Sequence, residues 1–225
     1  MTTTINIPES LQDITLEQYQ AYLSIENPTQ EDLLICFLKL ELKDFNAIKA
    51  SEFDRLVIHI NSLFEVEQIR VPKFDLQGIE FGFIPNLDEI SYGENKDITT
   101  YINDWQQMHI AMSVLYRPIT QKQGSKKYLI EPYNGKMKYA ELMKQMPLSV
   151  VMGSMVFFYN LTNELLNCIP SYLEKATAMA LKNKEISAEN GEAIRRLTSS
   201  LEMELVELSA LVKTPQLRTT LCTVA

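Results

Sequence analysis

DITTYINDWQQMHIAMSVLYRPIT, residues 97–120, changes character part-way, and that change sets the fold class. Ile98, Tyr101, Ile102, Trp105, Met108, His109, Met112, Leu115 and Tyr116 recur at intervals of three and four. That spacing places them on one face of an α-helix, with Asp97 as its N-cap. Arg117-Pro118 then ends the helix, because the residue before a proline is driven to extended backbone and the proline has no N–H to give. The run that follows, RPITQKQGSKKYLIEPY, reads as two short extended pieces about a Gly-Ser turn.

Upstream of this stretch the chain is helical, then extended. LEQYQAYL carries Leu16, Tyr19, Tyr22 and Leu23 on one face, with Asp13 or Thr15 as cap. Thr29 caps QEDLLICFLKLEL, whose apolar stripe is Leu33, Leu34, Phe37, Leu38 and Leu40. Ser51 is the expected cap of a third helix that turns Phe53, Leu56, Val57, Ile60, Leu63 and Phe64 inward. From Val66 the period becomes two. Ile69, Val71 and Phe74, then Ile79, Phe81 and Phe83, flank a turn at Asp75–Gly78, and Pro72 marks the first strand as an edge. Residues 87–96 read as a polar connector.

Downstream, GKMKYAELMKQMP is a short helix ended by Pro147, and LSVVMGSMVFFYNLTNELLNCI begins apolar almost all round. The apolar part is about a dozen residues, against roughly 20 for a membrane span. It reads as a central buried helix. A segment from Ser171, after Pro170, and a last helix from Ser187 with Leu197, Leu201, Leu205 and Leu208 on one stripe complete the pattern. The expected architecture is mainly α (α+β): a helical bundle around a central buried helix with a small antiparallel β hairpin or layer. It is expected as one domain over residues 1–213, with β insertions near 67–84 and 117–133 and a flexible tail at 214–225.

Charge and composition narrow the function. A net charge of −8 argues against a nucleic-acid partner, which needs a concentrated basic surface. Residues 1–115 hold 19 acids and 7 bases (net −12), and residues 116–225 hold 10 acids and 14 bases (net +4), a division that could draw copies of the chain together. A homo-oligomer is therefore left open. Three cysteines, an odd number far apart, fit a reducing compartment, and the opening MTTTINIPES has neither a basic nor an apolar signal region. No membrane association and a cytoplasmic setting are expected.

No catalytic, cofactor or metal site is expected either. The two histidines, His59 and His109, fall on separate helices, and no CxxC, HExxH or EF-hand spacing occurs. Gly78 and Gly82 lack the Lys-Ser/Thr and the following helix that phosphate binding requires. The expected mode of action is binding to other proteins. Trp105, His109, Tyr116 and Arg117, on an exposed flank and exit of the helix that opened this reading, are the nominated partner contacts, since Trp, Tyr and Arg contribute disproportionately at interfaces.

IEFGFIPNLDEISYGENKDITTYINDWQQMHIAMSVLYRPIT, with IPESLQDITLEQYQAYL before it and MPLSVVMGSMVFFYNLTNELL after, resembles a group of uncharacterised tailed-bacteriophage proteins encoded among virion structural genes. The resemblance covers roughly residues 7–174, and its most specific parts are GFIPxL, YGE, DWxxMHxAMxVLYRPI and MPL. Asn95–Ile98 departs from the acidic and apolar pattern that follows YGE in that group. The group has no agreed catalytic residues, so none is carried over. The resemblance implies a part in virion morphogenesis, with other phage structural proteins as partners. The expected role is a tail or baseplate assembly chaperone in the host cytoplasm; the alternative is a stoichiometric component retained in the virion, such as a connector, ring or packaged protein.

Overall fold

In the computed structural model the described residues are 6–123, 127–135, 137–161 and 163–164. The chain divides into two compact units, one reaching Ser154 and the next beginning at Met155. The first unit opens with three helices, α1 (Leu16–Leu23), α2 (Gln30–Leu38) and α3 (Ala50–Glu65). Thr15 caps α1 through a reciprocal box with Gln18, and Thr29 does the same for α2 with Asp32. Each box satisfies two of the amide donors that a helix start leaves without an internal partner. At α3 the expected cap gives way: the helix starts one residue before Ser51, with Lys49 in the cap position and no side-chain cap bond.

The apolar stripes of these helices meet in a ring cluster. Tyr19 lies 5.8 Å from Phe64, Tyr22 lies 5.3 Å from Phe37, and Phe37 lies 5.7 Å from Phe64. Leu16, Leu33, Leu34 and Ile60 fill the space between as fully buried side chains.

The alternating segment forms the expected hairpin, β1 (Lys73–Leu76) and β2 (Ile79–Phe83), with Leu76 paired to Ile79. Only Gln77 and Gly78 turn the chain, at φ 52° and 79°. Two positive φ values in succession match the right-handed twist of the flanking strands, and Gly78 supplies the second without a Cβ to strain it. The Asp75 carboxylate accepts from the Gly78 N–H at 3.0 Å and braces the turn. Strands β3 (Tyr116–Gln123) and β4 (Lys127–Ile130) extend the sheet in the order β1-β2-β3-β4, antiparallel throughout. The sheet thus joins the two extended regions that the sequence gives separately, with Gly82 opposite Arg117 and Phe83 opposite Tyr116. Strand β1 is the edge that Pro72 implies, but it is shorter than expected: it starts only after Pro72, so Ile69 and Val71 lie outside it and Ile69 is exposed.

Between β2 and β3 the structure differs from the expectation. The stretch from Asp97 to Tyr116 is not one helix. Helix α4 (Tyr92–Tyr101) begins earlier, in the supposed polar connector, because Ser91 and Glu94 form a capping box. Asp97 therefore lies inside α4. The helix ends before Asn103-Asp104, where a short acidic side chain competes for backbone donors: Asp104 accepts from the Gln106 N–H at 2.9 Å and starts a 3-10 turn over Trp105–Gln107. Helix α5 (Met108–Leu115) follows, and the chain passes straight into β3 at Tyr116. Helix α6 (Ala140–Met143) is a single turn.

A further helix, α7, starts at residue 148 and forms the end of the first unit. Leu148, Val150, Val151, Met152 and Ser154 are buried. Gly153 meets the backbone of residues 69–70: a Cβ there would stand 2.7 Å from the Ile69 carbonyl carbon and 3.0 Å from the Arg70 nitrogen. Of the second unit, the described residues are helical and place the Phe157 and Phe158 rings 5.4 Å apart. The expected segments after Pro170, the last helix and the tail at 214–225 lie outside the described residues, as do Cys168 and Cys222. The mainly α fold with a small antiparallel sheet is as the sequence implies.

Candidate functional site

The four nominated contact residues do not make an exposed flank. Because α5 enters β3 directly, Tyr116 and Arg117 lie on a strand in the interior; His109 is buried on α5 and Trp105, on the turn before it, is half-buried. Tyr116 is fully buried, its ring 5.2 Å from both Phe74 and Phe83, and its hydroxyl donates to the Val71 carbonyl at 2.7 Å. The same hydroxyl lies 3.0 Å from Ser154 Oγ, and burial pushes its pKa up to about 12. His109 is buried, with Nδ1 3.2 Å from Gln20 Nε2. Gln20 is oriented by its bond to the Trp105 carbonyl at 2.7 Å, so it presents an N–H to the ring nitrogen. Burial and then the nearby Lys144 charge lower the His109 pKa, outweighing the opposite pull of Glu141 and of the Gln106 backbone. Trp105 is half-buried and packs edge-on to Tyr19 at 5.0 Å.

Arg117 carries the densest electrostatics. Its Nη2 donates to Glu94 Oε1 at 2.5 Å, and the two side chains are only 10% and 9% exposed. Taking two charges out of water is costly, so such a pair persists only where further bonds satisfy both ends. Glu94 has them. Its Oε2 accepts the Ser91 N–H at 2.7 Å, so one carboxylate both caps α4 and fastens it to β3. Burial raises the Glu94 pKa, but the Ser91 N–H, the Ser91 hydroxyl and the Arg117 charge together outweigh it, and the carboxyl ends below its ordinary value. Beside the pair, the Tyr133 ring lies 5.9 Å from the guanidinium carbon, and its hydroxyl donates to Asp97. Burial, followed by that bond and the neighbouring acids, takes the Tyr133 pKa to about 12.

Of the basic run of 117–144, four side chains among the described residues meet acids. Lys122 pairs with Glu80 at 2.5 Å, Lys144 with Glu141 at 2.7 Å, and Lys138 stands 3.7 Å from Glu131. Arg117 is used internally.

No group of three or more His, Cys, Asp or Glu side chains that could hold a metal occurs among the described residues. Within the same residues no helix is long and apolar enough to cross a membrane. Cys36 is half-buried and free, its thiol pKa raised by burial and then by Asp32.

The segments GFIP, YGE, YRPI and MPL converge in space. GFIP and YRPI pair as β2 and β3, and Glu94 of YGE grips Arg117 of YRPI. Met146 of MPL accepts the Leu16 N–H at 3.0 Å, while the Leu148 N–H donates to Ile14 at 2.8 Å. The Glu94–Arg117–Tyr133 cluster is missing from the sequence reading. Ser91-x-x-Glu94 was a visible capping signal, but nothing local announces a partner 23 residues away. Comparisons with protein-family models, with curated proteins and with solved structures find no match.

Proposed function

We propose that the protein acts in phage virion morphogenesis as a tail or baseplate assembly chaperone, working by binding other phage structural proteins and catalysing no reaction. The resemblance over residues 7–174 is the observation that carries this reading. The segments that carry it, GFIP, YGE, YRPI and MPL, take part in contacts within the first unit, which is compatible with that reading. The exposed apolar side chains supply surfaces for binding: Tyr92 is 83% exposed, Ile69 80%, Leu42 73% and Val66 61%. These, rather than the buried Tyr116 and Arg117, are the residues available to a partner.

Two measurements test the reading. Mass spectrometry of purified particles of the encoding phage should find essentially no copies of this chain. Co-expression with each tail or baseplate protein of that phage should raise the soluble yield of at least one. Many copies per particle would replace the chaperone with a structural virion component. No gain in solubility for any tail protein, with none of the chain in particles, would remove both roles.

A further inference from the structure

Strand β4 ends the sheet, with β3 on one side and no strand among the described residues on the other. The Glu131 N–H, just past β4, donates to the Pro118 carbonyl at 2.9 Å and so faces β3. Peptide groups along a strand face opposite edges in turn, so the N–H and C=O of Tyr128 and Ile130 face outward. An open row of this kind is a template for another strand. The far edge, β1, has Pro72 at its start, whereas β4 contains no proline and its Leu129 is 47% exposed. The Tyr128 ring leans the other way, across β3 onto Gly82, where its hydroxyl donates to the Pro72 and Phe83 carbonyls.

The chemistry of the edge selects its occupant. Residues 127–131 read KYLIE, and this run matches itself when turned antiparallel about Leu129. Lys127 then faces Glu131 of a second copy, Tyr128 faces Ile130, and Leu129 faces Leu129. The outward peptide groups of Tyr128 and Ile130 fall opposite each other and exchange both hydrogen bonds. Leu129 and the two charge pairs fall at the non-hydrogen-bonded positions, where side chains approach most closely. Neighbouring registers are worse. A shift of two residues one way sets Pro132, which has no N–H, against Tyr128. The same shift the other way sets Lys127 against Leu129 and loses both charge matches. Lys127 is exposed and has no ion pair among the described residues, while Tyr139 holds the Glu131 carboxylate in place at 2.7 Å.

We propose that the chain forms a two-fold dimer in which the β4 strands of two copies pair antiparallel about Leu129, joining their sheets into one. A two-fold contact uses the same patch on both copies, so this assembly closes at the dimer. The pairing goes beyond the chaperone reading and does not depend on it.

The test is sedimentation of the full-length protein up to the limit of its solubility, with the urea transition at Trp105 as the check on folding. The wild-type chain should sediment as a dimer that dissociates on dilution. Lys127→Glu sets two carboxylates against each other at both ends of the pairing and should weaken the dimer on the order of tenfold. Glu131→Lys should do the same with two ammonium groups. Mixed in equal amounts, these two variants regain opposite charges at both ends and should recover the dimer. Ile130→Pro deletes an outward N–H that β3 does not use, so the fold should persist while the dimer is lost. A wild-type chain that is monomeric at every concentration overturns the proposal. So does a dimer that Lys127→Glu and Ile130→Pro leave unchanged, or one that mixing the two folded charge variants fails to restore.

Discussion

Breaking the Glu94–Arg117 pair tests whether α4 is held to the sheet by charge. Only Glu94 and Ile98 of α4 are buried, so the helix has little apolar area with which to replace a lost ionic contact. Arg117→Met leaves Glu94 with the Ser91 N–H but no countercharge, and Glu94→Gln leaves a guanidinium enclosed without one. Stranding one partner of a buried pair costs about 3–5 kcal/mol. For a chain of this size that is a fall in Tm of roughly 6–20 °C. The double variant removes both charges, so it should cost well under the sum of the singles. Trp105, the only tryptophan, lies in the unit that ends at Ser154, and its emission during urea unfolding reports on that unit. The pH profile gives a second readout. The Glu94 pKa is depressed on folding, so its stabilisation is complete above the unfolded value near 4.5 and is lost as pH falls through the lower folded value. Glu94→Gln should flatten that acid limb. Single variants that cost less than about 1 kcal/mol, as exposed pairs do, would refute the argument.

Two further outcomes follow from the packing. Gly153→Ala should lower stability: alanine gains about 1 kcal/mol of helix propensity over glycine, but the new methyl meets the backbone at residues 69–70, and overpacking costs about 1–3 kcal/mol; a raised Tm by calorimetry would show that the crossing has slack. His109 has a folded pKa below its ordinary 6.5, so the unfolded chain takes up the proton first and stability falls as pH drops below that value. His109→Asn should remove this part of the pH dependence, and an NMR titration of His109 with a midpoint above 6.5 would contradict the buried, neutral ring bonded to Gln20.

Much of the fold was readable because its signals are local. Thr15 and Thr29 announce their helices through boxes that close within four residues. The hairpin shows in the switch from a period of three or four to a period of two, and the Gln77-Gly78 turn fixes its register. The 97–116 stretch departs from the single helix its spacing implies for a related reason. Its apolar spacing is helical on both sides of Asn103-Asp104, and side-chain bonds there interrupt the backbone without disturbing the spacing. A free helix flank would expose Tyr116 and Arg117, whereas pairing of β3 with β2 turns both inward, and the Gln20 contact encloses His109. Strand pairing and ion pairs across 23 residues are set by tertiary approach and leave no periodic trace.

That distinction decides how mutants of this protein are to be interpreted. Residues of the phage-protein resemblance, such as Phe83, Glu94, Tyr116 and Arg117, are interior or pair with one another, so replacing them weakens the first unit whatever the chain binds. A loss of binding from such a variant reports folding before it reports recognition. Tyr92, Val66 and Ile69 are the informative counterparts: each is more than half exposed, so an alanine there should leave Tm nearly unchanged. If their replacement abolishes solubilisation of a tail protein while the urea transition at Trp105 stays in place, binding and stability separate, and the interface is carried by the surface between α3 and β1 and the start of α4.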